Sequence, residues 1–281
     1  MPTTPVLADL ETRVAQIANA SPGTNTQTIL QYMQSRSEFV ATGAETDGTV
    51  WGKFANGAVH VVFNTVQPDP SPASRAAKVV QAPASTRSLS NIPGADGNTS
   101  RVALLNALGT LFSVYHNIDE RTLFPADYSV EKQTAFDVEY QKNLPLLSGL
   151  YFTAHGGTFR YSPATTPFFV FSTSTVVTGD PVHDKAHKYY ADIQAGNLVT
   201  GTTLENWVPD PAHPGMYMIQ AATHYAISPQ FMRNYKWRFA DQSFVFANAC
   251  SGQAVSTPDQ ITANSDLTKV LFGANFSVYC G

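Results

Sequence analysis

The chain has 281 residues, of which 43% are hydrophobic and only 14% are charged, with a formal net charge of −4. This length allows one large domain, or one domain with a smaller appendage, and the hydrophobic content is enough for a packed core. An acidic chain argues against a nucleic-acid partner, which requires a clustered basic face. No stretch approaches the about 18 consecutive apolar residues of a membrane span. Two cysteines, Cys250 and Cys280, are too few for a disulfide scaffold.

The first residues of the given sequence do not have the pattern of an export signal. The first residues, Met1-Pro2-Thr3-Thr4, lack the basic start and the apolar run of a secretion signal. We therefore expect the protein in the cytoplasm if the chain begins at Met1, and outside the cytoplasm if a signal has been removed.

Residues 1–64 predict a small N-terminal unit of helices followed by a β-hairpin. Apolar residues recur at three- and four-residue steps between Leu7 and Ala18, and a second helical stretch runs from about Thr26 to Ser35. Two β-rich runs, Thr49 to Phe54 and Ala58 to Phe63, then flank Asn56-Gly57. Asn-Gly supplies the positive φ angles of a type I′ turn, so these runs predict a hairpin.

Residues 65–100 are rich in proline, serine, alanine and glycine. Such a segment buries too little apolar surface to offset its ordering entropy, which predicts a linker. After it, continuous apolar runs alternate with helical stretches, as in an α/β domain with a mostly parallel sheet that is covered by helices on both faces. The predicted strands are Val102–Leu105, Gly149–Ala154, Ser243–Ala247 and Ala274–Cys280, and the predicted helices are Phe136–Leu147 and Leu267–Phe272.

Three further segments of this domain have weaker patterns. The runs Phe168–Phe171 and Thr175–Val177 predict a hairpin, and the polar stretch Pro181–Trp207 predicts a helix followed by a loop. A short helix is predicted to begin near Ile227, where Ser228 is the expected N-cap and Pro229 the first helical residue.

Reactive side chains follow two of the predicted strands. His155-Gly156-Gly157 comes directly after the strand that ends at Ala154, and Cys250 follows the strand that ends near Ala249. Sites in open α/β sheets lie beyond the carboxyl ends of the strands, so neighbouring strands would bring His155 and Cys250 together. A cysteine thiolate is a nucleophile, and a nearby imidazole keeps it ionised or moves its proton.

A hydrophobic block ending in His-Gly, followed by a later block ending in Ala-Cys, resembles the caspase–gingipain–legumain group of cysteine peptidases. Within that group the chain looks closest to the bacterial gingipain-like branch. Tyr225–Phe231 ahead of the cysteine strand and Gly273–Tyr279 after it support the resemblance, which covers about Arg101 to Gly281.

The resemblance implies a caspase-like domain over residues 101–281 and a catalytic dyad of Cys250 and His155. Backbone N–H groups of Gly156 and Cys250 would stabilise the oxyanion. The substrate would be a peptide or protein, with no required cofactor, although relatives often bind structural calcium. Two features depart from the group: relatives continue past the strand that ends at Tyr279, so the chain is expected to be either truncated or a shortened relative, and residues 158–207 look like an insertion.

Other interpretations of the same residues stay open. The chain could be an inactive caspase-like scaffold that binds peptides, or a cysteine acyltransferase on the same fold. Cys280 is expected to be a packed thiol, with a regulatory disulfide to Cys250 as the alternative. His183 and His187 have the i, i+4 spacing of a helical zinc site but lack the glutamate of a metalloprotease motif, so a solvated helix face is expected.

Overall fold

A computed structural model describes residues 5–20, 25–63, 101–106, 129–132, 135–162, 165–210, 217–249, 267, 269–271 and 276–280. The helices are α1 (Pro5–Ala20), α2 (Thr26–Gln34), α3 (Val138–Lys142), α4 (Tyr190–Gln194) and α5 (Pro229–Asn234). Leu267 and Lys269–Leu271 are also helical. No helix in the described part of the chain is long and apolar enough to cross a membrane.

The strands are β1 (Phe39–Ala44), β2 (Val50–Phe54), β3 (Val59–Val62), β4 (Arg101–Asn106), β5 (Ser129–Lys132), β6 (Leu147–Ala154), β7 (Gly156–Phe159), β8 (Phe168–Val176), β9 (Leu198–Pro209), β10 (Tyr217–Ile227), β11 (Phe239–Ala249) and β12 (Phe276–Cys280). They form two sheets, one of five strands and one of seven.

The five-stranded sheet has the order β12-β11-β6-β4-β5, and every neighbouring pair in it is parallel. Strand β6, in its centre, is buried along almost its whole length, which explains the continuous apolar run in its sequence. The predicted α/β class is therefore confirmed, and one of the two sheets has the expected parallel pairing.

The seven-stranded sheet has the order β1-β2-β3-β9-β10-β8-β7 and is antiparallel except where β3 pairs with β9. The sequence did not predict this second sheet. Its first three strands come from the expected N-terminal unit of residues 1–64, and the other four come from residues 156–227. The predicted hairpin is confirmed as β2–β3, but its turn is not of type I′. Gly57 has a φ of 93°, whereas Asn56 lacks the positive φ that type I′ requires at both central residues. The domain boundaries at residues 64 and 101, and the linker of residues 65–100, which lies outside the described residues, remain predictions.

The seven-stranded sheet curls so that its two ends meet. The turn between β1 and β2 reaches the edge strand β7, where Asp47 accepts hydrogen bonds from the backbone N–H and the hydroxyl of Thr158, at 2.9 and 2.8 Å. Beside it, the Arg160 Nε lies 3.0 Å from a carboxylate oxygen of Glu45. The curl encloses an apolar cluster, here called the inner core. It consists of Trp51, Val59, Val61, Phe63, Phe159, Val170, Val199 and Ala226.

The opposite face of the curled sheet belongs to the main core of the protein. Helix α1 packs on β9 and β10, and α2 packs on β1 and β2, with Leu10, Val14 and Met33 fully buried. Between the two sheets, the Phe152 ring of β6 stacks on Phe136 with the ring centroids 4.9 Å apart. The ring of Phe171 from β8 meets Phe152 edge-on, also at 4.9 Å. Aromatic packing therefore joins the two sheets.

Two segment predictions were wrong. Residues 168–177 do not form a hairpin, because Phe168–Val176 is one strand, β8, that pairs with β7 and β10. The polar stretch 181–207 contains turns and the short helix α4, and its second half is strand β9 instead of a loop. Both strands are rich in threonine or serine, and several of these hydroxyls find partners inside the structure. Thr173, for example, donates to the backbone oxygen of Tyr225 at 2.8 Å.

Candidate functional site

The two strands that precede His155 and Cys250 are neighbours in the parallel sheet. Strand β6 pairs with β11, and their register places Thr153 beside Asn248 and Ala154 beside Ala249. These last pairs end at the same edge of the sheet, one residue before His155 and one residue before Cys250 in the sequence. Cys250 itself lies outside the described residues, so the dyad and its geometry remain a prediction.

His155 occupies the crossing between the two sheets. It follows β6 of the parallel sheet and immediately precedes β7 of the curled sheet. Its backbone N–H donates to the Ser172 hydroxyl at 3.0 Å, and its backbone oxygen accepts from the Ser172 N–H at 2.8 Å. Because Ser172 lies on β8, these two bonds fix the histidine backbone to both sheets. The residue is only 6% exposed.

Gly156 begins the edge strand β7 and lies opposite Phe171 of β8. In an antiparallel pair, successive N–H groups point alternately toward the partner strand and away from it. The Thr158 N–H points away from β8, since it donates to Asp47. Gly156 has the same place in this alternation, so its N–H is also directed away from β8. The geometry is compatible with the predicted role of the Gly156 N–H as an oxyanion donor.

The side chains before the two strand ends share one face of the parallel sheet. Phe152 and Ala154 of β6 and Ala247 of β11 all belong to the main core, and Ala249 packs against it. Residues at matching register therefore direct their side chains to the same side. The two strands are therefore in register up to Ala154 and Ala249, the residues that precede the two motifs.

The register between β12 and β11 places Cys280 opposite Phe246. The two strands are parallel, and Phe246 lies four residues earlier in the chain than Cys250. A disulfide needs Cα atoms within about 7 Å. Cys250 lies outside the described residues, so the regulatory disulfide remains a prediction.

His183 and His187 do not lie on a helix. Both are in turns before α4, where the ring Nδ1 of His183 lies 3.2 Å from the Asp180 carboxylate. The Nε2 atom of His187 lies 2.9 Å from the backbone oxygen of Thr178. Within the described ranges, no group of three or more metal-ligating side chains is found. The helical spacing that suggested a zinc site is therefore not realised here.

His60 is the most deeply buried histidine among the described residues, with 0% exposure on β3. Its Nδ1 lies 2.9 Å from the Thr200 hydroxyl and its Nε2 lies 3.1 Å from the Thr202 hydroxyl. Burial lowers the pKa of its imidazole to about 3. His60 is thus a neutral, fully buried histidine that joins β3 to β9.

The residue that sequence reasoning missed at the candidate site is Ser172. It stands in the middle of β8 and supplies both bonds that anchor the His155 backbone. A buried serine in an aromatic-rich strand indicates that its hydroxyl needs a hydrogen-bond partner, but only the strand pairing identifies that partner as His155. Comparisons of this chain with protein-family models, with curated proteins and with solved structures found no match.

Proposed function

We propose that this protein is a cysteine endopeptidase of caspase-like fold, with Cys250 as the nucleophile and His155 as the acid–base group. One observation carries the proposal: β6 and β11 are parallel neighbours whose register aligns Ala154 with Ala249. The motifs His155-Gly156 and Cys250 therefore follow two adjacent strand ends, where catalytic groups of open parallel sheets lie.

The side-chain alternation of the strands also supports a dyad. Ala154 and Ala249 face the main core, so continuation of the period of two directs the next residue of each strand to the opposite face. His155 and Cys250 would then share that face. The proposal requires their imidazole nitrogen and sulfur to meet directly or through one water.

The reaction proceeds in two steps. The Cys250 thiolate attacks the peptide carbonyl carbon, and collapse of the tetrahedral intermediate breaks the C–N bond while the His155 imidazolium protonates the leaving amine. Water then attacks the thioester, and His155 accepts a proton from that water. The second collapse breaks the C–S bond, which releases the carboxylic acid and regenerates the Cys250 thiolate. The Gly156 and Cys250 N–H groups stabilise the oxyanions of both tetrahedral intermediates.

In this scheme, the two hydrogen bonds between Ser172 and the His155 backbone hold the general acid in position. A general acid must hold its position to within a fraction of an ångström as charge develops, and residues whose supports are rigid achieve this. The two hydrogen bonds between His155 and Ser172 supply such a support from a neighbouring strand.

The test measures the alkylation of Cys250 by iodoacetamide as a function of pH, with peptide mapping by mass spectrometry. A thiolate that is paired with an imidazolium reacts at pH values well below about 8.5, the ordinary pKa of cysteine. We expect Cys250 to retain much of its reactivity near pH 6, and His155→Ala to shift its profile to higher pH. Cys280 serves as the internal control and should show no shift in the variant.

A second measurement separates a peptidase from a peptide-binding scaffold. Incubation with acyloxymethyl ketone peptides, which alkylate cysteine peptidases in a catalysis-dependent way, should modify Cys250 in the wild type and not in His155→Ala. An ordinary cysteine pH profile together with no peptide adduct would contradict the peptidase assignment and leave the scaffold alternative. Peptide amide formation with an added amine nucleophile, in excess of hydrolysis, would indicate the acyltransferase.

A further inference from the structure

A cavity of about 360 Å³ lies at the start of β11, between α5 and the helical residues Lys269 and Val270. Four cationic side chains line it, namely Arg233, Lys236, Arg238 and Lys269. Met232, Trp237 and Val270 complete the wall. Four of the 17 lysines and arginines of an acidic chain thus converge on one cavity, and the described residues that line it include no acidic one.

Three of the four pocket cations, Lys236, Arg238 and Lys269, form no ion pair with a carboxylate among the described residues. Like charges in one concave site repel one another and focus a positive potential into it. An anion that enters the cavity relieves this repulsion, which favours a ligand with several negative charges.

The backbone at Lys236 gives independent support for a ligand site. Helix α5 ends in a Schellman motif, in which the Trp237 N–H donates to the Met232 oxygen and the Lys236 N–H to the Arg233 oxygen, at 3.1 and 3.2 Å. The residue at the C′ position of this motif has a positive φ, and glycine is the usual occupant. Here Lys236 adopts φ 52°, the only positive φ found for a non-glycine residue among the described residues. A strained lysine that lines a cationic cavity points to a requirement for its charge.

Simple stabilisation of the helix end does not explain the whole cluster. Cations near a helix carboxyl terminus interact favourably with the helix dipole, which accounts for Arg233 and Lys236. Arg238, in contrast, follows the turn and directly precedes β11, and Lys269 comes from a separate helical segment. These two side chains line the cavity without contributing to the end of α5.

The floor of the pocket is held rigidly. Trp237 is 3% exposed, and its indole N–H donates to the Gln141 backbone oxygen at 3.0 Å. The end of α5 is fixed by Tyr235, whose hydroxyl donates to Asp192 at 2.7 Å, and Asp192 in turn forms a 2.7 Å ion pair with Lys142. A pocket that is formed before the ligand arrives loses little conformational freedom on binding.

We infer that this pocket binds a small molecule with two or more phosphate groups. Arg233 and Arg238 present planar forks that match phosphate oxygens, while Lys236 and Lys269 add point charges. A volume of about 360 Å³ is at the lower end of the range of small-molecule sites, about 300–1,000 Å³, and fits a di- or triphosphate group. The pocket adjoins the first residue of β11, whereas Cys250 follows the last one, so roughly 30 Å of strand separates this site from the proposed dyad.

The test titrates inorganic tripolyphosphate into the full chain by isothermal calorimetry at low and at physiological salt. We expect saturable one-to-one binding that weakens as salt rises. The double variant Arg238→Gln/Lys269→Gln should lose at least tenfold in affinity. The matched control Arg13→Gln/Lys185→Gln removes the same charge from exposed positions outside the pocket and should stay within twofold of the wild type.

Three results would overturn the inference. The first is the absence of saturable tripolyphosphate binding to the wild type, and the second is an equal loss of affinity in the matched control, which would indicate unspecific attraction. The third is tighter binding of citrate than of tripolyphosphate, which would assign the pocket to polycarboxylates. Lys236→Gly adds a sharper readout: it should weaken binding and raise the denaturant midpoint at the same time, a combination that a structural role for this lysine would not produce.

Discussion

Acidification should destabilise this protein through the buried histidine of β3. The His60 imidazole is enclosed by the Thr200 and Thr202 hydroxyls, and Thr202 continues the chain of hydroxyls to Thr223 at 3.0 Å. The nearest carboxylate along this chain is that of Glu11 on α1, which accepts the Thr223 N–H at 3.1 Å and does not contact the ring. No counter-charge therefore meets a protonated His60, and the folded state favours the neutral ring.

The magnitude follows from the difference in pKa between the two states. The pKa of His60 is about 3 in the folded protein, against 6.5 for an unperturbed histidine. The unfolded chain thus binds a proton that the folded chain refuses, and the free energy of unfolding falls as the pH drops below the unfolded pKa. The loss from this one group amounts to about 2 kcal/mol at about pH 5 and about 3 kcal/mol at about pH 4, relative to neutral pH.

Urea unfolding of the wild type and of His60→Gln, measured between about pH 7.5 and pH 4.5, tests this reasoning. The glutamine amide retains a donor and an acceptor for the threonine hydroxyls but cannot titrate, so the variant should lose roughly 2 kcal/mol of pH dependence near pH 5. His183→Gln removes an exposed histidine and is measured alongside as the control substitution. Equal pH dependence in His60→Gln and the wild type would refute the assignment of the acid sensitivity to His60.

Three further substitutions test local features by urea unfolding. Ser228→Ala removes the cap of α5, since the hydroxyl accepts from the Phe231 N–H and donates to the Gly196 oxygen. It should cost about 1–2 kcal/mol, whereas the exposed Ser37→Ala should cost almost nothing, and equal values would show that the cap is dispensable. Lys236→Gly should stabilise the protein by up to about 1 kcal/mol by relieving its positive φ, and a loss of stability would mean that the side chain packs productively. Gly201→Ala would bring a Cβ to 2.5 Å from Phe63 in the inner core and should cost about 1–3 kcal/mol, while no cost would indicate a looser curl.

Local signals in the sequence predicted local structure well. Asn56-Gly57 marked the β2–β3 turn, and Ser228-Pro229 marked the start of α5, because the backbone requirements of a turn and a cap involve only adjacent residues. The pairing of β6 with β11 was only a condition of the predicted site, because the shared edge of a parallel sheet does not determine which strands are neighbours. The position of His155 relative to Ser172 was beyond such reasoning.

The curled sheet escaped prediction because its pairings are distant and its strands are polar. His60 and Thr200 are paired across a separation of 140 residues, and no local pattern encodes that contact. The polar threonines of β9 suggest a loop from the sequence alone, because their hydrogen bonds to His60, made by Thr200 and Thr202, form only in the folded protein. The cationic pocket was hidden for the same reason, since Lys269 is remote in sequence from Arg233 and the cluster exists only after folding.

The pairing of β3 with β9 makes the first 63 residues an integral part of the fold, held by more than the peptide chain. Asn19 of α1, for instance, donates to the Ile219 oxygen and accepts from the Ile219 N–H, at 2.8 and 2.7 Å. Two polypeptides, residues 1–63 and 101–281, should therefore reconstitute the protein when they are produced separately and mixed. In the same way, a break in the chain between Phe63 and Arg101 would yield a two-chain molecule that stays associated, and not a released propeptide.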